Sequence, residues 1–300
     1  MQGHFLSLFD LTADEILALL EDAQQFHDAF RLNRLPPGLL GKRVAMIWDG
    51  TGFRNRVAFE LGIKLMHGEP VEVPYHFGPD EPATDVARYL SNWFDAIIVR
   101  TSSHAALEAF AASSTVPVIN ARTSHNHPCE ILGDLAYLRA VRGDVKGLQV
   151  VYVGPSTNLG NSWLEAAACL PLHVTHVCPP GYETPAQYIA GLMEHSAGTI
   201  SQSSDLREPL RAADVVYTDG WPRPVDEAHG RRIAADFLPF QITSELLDST
   251  PPEAMFLPCP PVHVGQELSE DSITSKHCRV FEAKDWLLHA QNALLVRLLG

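Results

Sequence analysis

The residues best suited to chemistry in this chain fall in a few polar clusters. Asp49-Gly50-Thr51-Gly52-Phe53-Arg54-Asn55-Arg56 combines glycines with two guanidiniums. Glycine lets the backbone approach a ligand closely, N–H groups at a helix start favour an anion, and guanidinium forks match phosphate oxygens. Val99-Arg100-Thr101 adds another cation. Each segment alone would also suit solvated surface arginines, which is the commoner role for a lone Arg such as Arg100. His125-Asn126-His127-Pro128-Cys129-Glu130 offers imidazoles, a thiol and a carboxylate. Its His-x-His-x-Cys alternation suits a strand better than a helix, and no further ligand set follows at zinc-finger spacing, so no metal is expected there. The loop Gly154-Pro155-Ser156-Thr157-Asn158-Leu159-Gly160 lacks the second glycine of a dinucleotide fingerprint, and no well-placed acid supports one, so no cofactor is expected. Asp219, Arg223 and Cys259 complete the set, with Cys259 held between prolines at 258, 260 and 261. A buried apolar thiol is the other role open to Cys259.

Alternating elements must position these groups. Thr12 can cap a helix whose first turn holds Asp14 and Glu15, followed by Ile16, Leu17, Leu19 and Leu20. Apolar runs at 44–48, 71–75, 96–99 and 116–120 read as strands, with helices over 56–66, 85–94 and 105–112 and a polar loop over 51–55. A long helix over 128–141 and a turn over 143–147 follow. The pattern then restarts, with strands at 149–153, 174–178, 215–218 and 255–257, a helix over 162–169 and a last amphipathic helix over 284–299. This alternation predicts parallel sheets covered on both faces, in two α/β domains with a boundary near residues 140–147. Ligands gather beyond the carboxyl ends of such strands, and the polar clusters fall there.

Composition narrows the partners. The chain has 300 residues, 46% hydrophobic and 19% charged, ample for a real core. With 22 Lys+Arg against 36 Asp+Glu its net charge is −14, which repels nucleic acid and anionic lipid, so neither is an expected partner. The same acidity also serves solubility. A small anionic substrate would need a local arginine cluster. Cysteines at 129, 169, 178, 259 and 278 form no CxxC pair and read as reduced thiols of a cytoplasmic protein. No signal peptide is evident, and no apolar stretch approaches the ~18 residues of a membrane span.

Taken in order, these segments resemble the aspartate/ornithine carbamoyltransferase family. The resemblance runs from His4-Phe5-Leu6-Ser7-Leu8-Phe9-Asp10-Leu11 through Asp85-Val86-Ala87-Arg88, Arg100-Thr101, His127-Pro128-Cys129, Asn158 and Asp214-Val215-Val216-Tyr217-Thr218-Asp219. It continues over residues 259–267 and ends at His289-Ala290-Gln291. It implies a carbamoyl-phosphate-binding domain over 1–142 that the last helix, 284–300, rejoins, and an amino-acid-binding domain over 143–283. It also implies a homotrimer with sites at subunit interfaces, and no cofactor. By resemblance, Arg54 and Arg56 bind phosphate with Thr51, Gly52, Phe53 and Asn55 around them. Arg100, with Thr101, and His127 bind the carbamoyl carbonyl, and Glu130 stands where the family has Gln. Asn158 contacts the amino acid, and Asp219 and Cys259 orient and deprotonate the attacking amine.

The sequence departs from the family in several places. The usual Ser-Thr-Arg-Thr-Arg reads Gly52-Phe53-Arg54-Asn55-Arg56, the Ser-Met-Gly loop is replaced near Pro222-Arg223-Pro224, Val264 stands near a usual Arg, and Leu287 replaces an Arg. Arg223 would suit an anionic group on the acceptor, or lie solvated. The expected function is therefore carbamoyl transfer to an amino acid or amine other than ornithine. The alternative is a non-catalytic homologue serving as a ligand-binding or partner subunit. A related acyl phosphate is a third possibility. Asp219 and Cys259, each following a predicted strand, are expected to meet at one sheet edge.

Overall fold

The computed structural model describes residues 3–78, 80–194 and 196–300. The chain forms two compact units, Met1–Asp144 with Ala283–Gly300, and Val145–Glu282. The first unit opens with α1 (Ala13–Arg31), started by Thr12. Thr12 Oγ1 accepts from Glu15 N–H while the Glu15 carboxylate accepts from Thr12 N–H, a reciprocal capping box. There follow β1 (Arg43–Trp48), α2 (Phe53–Leu65), β2 (Glu69–Val73), α3 (Ala83–Ser91), β3 (Ala96–Arg100), α4 (His104–Ser113), β4 (Val118–Arg122) and α5 (Pro128–Arg142). The four strands pair parallel in the order β2-β1-β3-β4. Ala45, Ile47, Ile97 and Val99 pack beneath Val86, Leu90, Leu107 and Phe110 of α3 and α4, as a strand covered by helices requires. The edge strand β2 is largely exposed and carries Glu69 and Glu72.

The second unit runs β5 (Gln149–Val153), α6 (Asn158–Cys169), β6 (His173–Val177), α7 (Ala186–Met193), β7 (Thr199–Ser203), α8 (Arg207–Leu210), β8 (Val215–Thr218), α9 (Glu227–Phe237), α10 (Ser244–Asp248) and β9 (Met255–Pro258). Its strands are again parallel, ordered β7-β6-β5-β8-β9. The fold is the expected pair of parallel-sheet α/β units. In each, strand order reverses once, between β1 and β3 and between β5 and β8. At such reversals the loops beyond the carboxyl ends diverge, the usual place for a ligand crevice in a parallel sheet.

The last helix, α11 (Val280–Leu299), joins the first unit from residue 283 onward. It packs against α1 and α5, through an ion pair of Arg297 with Asp22 and a tight seat on Gly133. A Cβ added at Gly133 would stand 3.1 Å from the Leu287 Cα, so any larger residue would push the two helices apart by a few tenths of an ångström.

Two local expectations are corrected. Residues 53–55 are not loop: Gly52, at φ 23°, turns the chain, and α2 starts at Phe53. The helix expected from Pro128 is present as α5. His127 ends a loop and Pro128, with its fixed φ, opens α5, so Cys129 is helical. The helix expected from 162 starts at Asn158, because Thr157 Oγ1 caps it by accepting from Gly160 N–H.

Candidate active site

In the first unit the polar clusters meet at the β1/β3 crevice. Strand register sets Trp48 beside Arg100 and Arg100 beside Arg122. The Arg100 guanidinium leaves the strand end and lies over Gly52. A Cβ there would come within 2.3 Å of its Cζ, so Gly52 makes the room. Arg100 also lies over the Trp48 ring, 5.9 Å from its centroid. Its Nε is buried with no hydrogen-bond partner among the described residues. Burial, then the neighbouring Arg122, lowers its pKa to about 10, against the pull of Glu130. Arg100 therefore stays charged at neutral pH. The like charge of Arg122 makes the buried Arg100 guanidinium less favourable, and an anion bound beside Arg100 would offset this.

The start of α2 supplies donors. Gly52 has no side chain to cap the helix, so the first-turn amides and the helix dipole face the same region. Arg54 is half-buried, with its guanidinium 4.9 Å from the centroid of the exposed Phe53 ring. Arg56 turns to the sheet edge and pairs with Glu72. Thr51 is exposed, whereas Thr101 is buried and its N–H donates to Arg122 O at 3.0 Å. Asn55 is buried and is a brace: its Nδ2 donates to Glu130 Oε2 at 2.7 Å, and its Oδ1 accepts from Gln291 Nε2 at 2.8 Å.

Glu130 and Lys284 explain each other. Lys284 on α11 is largely shielded, its side chain 10% exposed, and donates to Glu130 Oε1 at 2.8 Å and to Asp134 at 2.8 and 2.9 Å. Burial alone would raise the Glu130 pKa. The Lys284 ammonium, then His127 and the hydrogen bonds from Lys284 and Asn55, outweigh burial and hold it below the usual carboxylate range. The carboxylate replacing the family Gln thus has its cation, one helical turn before Leu287. The sequence reading missed Lys284 because a lone lysine on a helix normally points to solvent. It missed Arg122 because nothing in the run 118–122 shows which strand lies beside it.

His127 is buried, and burial, opposed by Glu130 and aided by Arg100, Arg122 and Lys284, lowers its pKa to about 3. Glu130 Oε2 lies only 3.6 Å from His127 Nε2. The ring is nonetheless neutral at physiological pH, so this contact is not an ion pair. A neutral imidazole can donate one N–H to a carbonyl oxygen. Cys129 Sγ donates to Asn120 O at 3.3 Å, and burial pushes its thiol pKa up, so it behaves as a core thiol.

Two expected outcomes follow locally. Gly52→Ser restores the family hydroxyl but places a Cβ against Arg100 and strains a positive φ, which costs about 1–2 kcal/mol in a non-glycine residue. Arg100 should swing away, and calorimetry should show anion affinity weakened about tenfold, since a charge-assisted contact is worth roughly 1.5–3 kcal/mol. The second outcome concerns pH. The folded-state pKa of His127 lies below its ordinary 6.5, so the unfolded chain takes the proton first on acidification. Its contribution to stability is whole above pH 6.5 and is lost as pH falls toward about 3, at about 1.4 kcal/mol per unit. Urea unfolding of His127→Gln should show a flatter slope than wild type between pH 6 and 4.

In the second unit, Asp219 and Cys259 follow β8 and β9, whose register pairs Thr218 with Pro258. Cys259 N–H donates to Thr218 O at 2.9 Å, so the two residues stand side by side at one sheet edge. Asp219 is half-buried, with Oδ1 accepting from Gly220 N–H at 2.8 Å. Cys259 is buried. Asn158 opens α6 across the β5/β8 crevice and is half-buried. Tyr152, read in the sequence as one more apolar strand residue, braces this end. Its hydroxyl donates to Pro155 O at 2.9 Å and lies 2.7 Å from Thr157 Oγ1. Burial, then the nearby Asp219, raises its pKa well above the ordinary value, so it stays protonated. Arg223 is exposed, outside this group.

Residues 3–140 match the aspartate/ornithine carbamoyltransferase carbamoyl-P binding domain, and residues 146–298 match the Asp/Orn binding domain of the same family. The chain belongs to the aspartate/ornithine carbamoyltransferase family. It is a carbamoyltransferase, as its sequence resemblance implied. Ornithine carbamoyltransferase of Syntrophus aciditrophicus is 34% identical over 298 residues, 98% of this chain and 99% of that protein. That of Carboxydothermus hydrogenoformans is 36% identical over 303 residues, 99% and 97% of the two chains. The solved ornithine carbamoyltransferase from Pyrococcus furiosus superposes with a TM-score of 0.93 at 33% identity, covering 99% of this chain and 97% of that one. No helix among the described residues is long and apolar enough to cross a membrane.

Proposed function

We propose that this carbamoyltransferase moves the carbamoyl group of carbamoyl phosphate to the side-chain amine of ornithine, releasing phosphate. The expectation of another acceptor, and with it the non-catalytic alternative, is overturned by the end-to-end relatives, which are ornithine carbamoyltransferases. That expectation leaned on the segment Pro222-Arg223-Pro224. Arg223 is exposed, so its charge is solvated and is a poor guide to the acceptor.

The observation that carries the proposal is the Arg100 guanidinium lying over Gly52 at the uncapped start of α2, with Arg122 its partner in strand register. The cations and first-turn amides, with Arg54, hold the phosphate and take up charge as it leaves. Neutral His127 donates to the carbamoyl oxygen. In the second unit Asn158 and Asp219 receive the amino acid, Asp219 holding its ammonium form. Cys259 as thiolate accepts the ammonium proton, and the freed amine attacks the carbamoyl carbon as the bond to phosphate oxygen breaks. Five cysteines without a disulfide suit a reducing, cytoplasmic setting. The assembly is a homotrimer. Carbamoyl phosphate and ornithine given to the purified chain should yield phosphate and carbamoylated ornithine one for one. Light scattering should give three times the 33.0 kDa chain mass. Calorimetric silence toward carbamoyl phosphate, with no turnover, would sink the proposal.

A further inference from the structure

A second cluster on α11 lies apart from Lys284 and faces α1. Asp285 and His289 are one turn apart and share a helix face. With His27 of α1 they bring one ligand atom each within 4.8 Å of one another. His289 is fully buried at 0% exposure, and neither ring nitrogen has a hydrogen-bond partner among the described residues. A buried imidazole left unpaired is unfavourable, and native cores rarely keep one without cause. Its neighbours are His27, whose ring centroid is 5.1 Å away, with Phe30 and Trp286.

The groups around the cluster are arranged as outer partners of ligands. Asp28 Oδ1 lies 3.1 Å from His27 Nδ1, which keeps the proton on that nitrogen and leaves Nε2 toward Asp285 at 4.0 Å. That separation is too long for a direct hydrogen bond. Trp286 stacks on His27 with centroids 4.5 Å apart and planes 8° apart, fixing the ring. Arg31 donates to Asp285 Oδ2 at 2.7 Å, the same oxygen that lies 4.0 Å from His27 Nε2, and so fixes the carboxylate beside the ring. The Arg31 charge opposes a cation, but Asp28 and Asp285 together offset it.

The geometry points to a site for a divalent transition-metal ion of the zinc type, held by His27, Asp285 and His289 with water in the fourth position. Two imidazoles and one carboxylate suit such an ion, whereas calcium and magnesium want oxygen donors alone. The ion would satisfy His289 and tie α1 to α11, the helix that carries Lys284. The cluster joins opposite ends of the chain, so spacing in the sequence did not disclose it.

The test uses the full metal-free chain, titrated with Zn²⁺ by calorimetry and with Co²⁺ by visible absorption. Wild type should bind one equivalent, with a tetrahedral N/O-ligated Co²⁺ band and no thiolate charge-transfer band. At hundredfold excess over Kd, Zn²⁺ should raise Tm by roughly 5 °C. His27→Ala and Asp285→Asn alter partly exposed side chains, so they should fold while losing the equivalent and the Tm shift. His289→Ala opens a core cavity and is secondary. No binding by wild type at micromolar metal would overturn the site. So would a full equivalent kept by either folded variant, or a thiolate band, which would assign the metal to other side chains among the 14 histidines and 5 cysteines.

Discussion

Replacing Lys284 by Met should destabilise the folded chain by about 3–5 kcal/mol, the usual effect of removing one partner from a buried ion pair. The side chains of Glu130 and Asp134 are almost fully buried, and Lys284 reaches both within 3 Å. Without it two buried carboxylates lose the ammonium they share. Asn55 still donates to Glu130 but carries no charge to offset them. The loss should appear as a lower urea midpoint. Changing Glu130→Gln and Asp134→Asn together with Lys284→Met should recover most of it, because neutral partners remove the uncompensated charge. A single Lys284→Met variant as stable as wild type would mean that the carboxylates reach water and that the cluster is not buried in solution.

Arg100→Met should have the opposite division of effects. Its guanidinium sits beside Arg122 and over Gly52, with Nε unpaired among the described residues. In the free protein it is repelled by Arg122 and penalised by burial. Removing it should leave thermal stability equal or slightly higher. In turnover it neutralises developing phosphate or carbonyl charge, and losing one such preorganised donor lowers kcat about 10²–10³-fold. Steady-state kinetics and thermal melting on the same sample test both halves. A variant that melts earlier yet turns over normally would make Arg100 a structural residue.

The two substitutions show where the sequence could and could not be read. Apolar runs such as 215–218 coincide with a strand because a buried parallel strand needs apolar side chains on both faces. Thr12 was legible as a cap because its partner, Glu15, is three residues away. β7, Thr199–Ser203, was not legible: it is a half-exposed edge strand of polar residues with no run to mark it. The start of α2 was misplaced because Gly-Phe-Arg-Asn has loop-like composition, while the chain turns at Gly52 alone. The acceptor was misjudged because a changed loop weighed more in the sequence than its exposed place in the fold warrants.

The sequence by itself determined the two α/β units, the polar groups at their strand ends and the resemblance to carbamoyltransferases. Those depend on local periodicity, turn chemistry and the order of short segments. Only the tertiary structure decided which charges meet. Arg122 stands beside Arg100 through the register of β3 and β4. Lys284 reaches Glu130 because Gly133 lets α11 approach α5 closely, and His289 meets His27 because the same helix lies along α1. Such meetings depend on strand register and helix approach between distant segments, and burial then sets how strongly each charge acts. Neither leaves a repeat or a spacing in the linear chain.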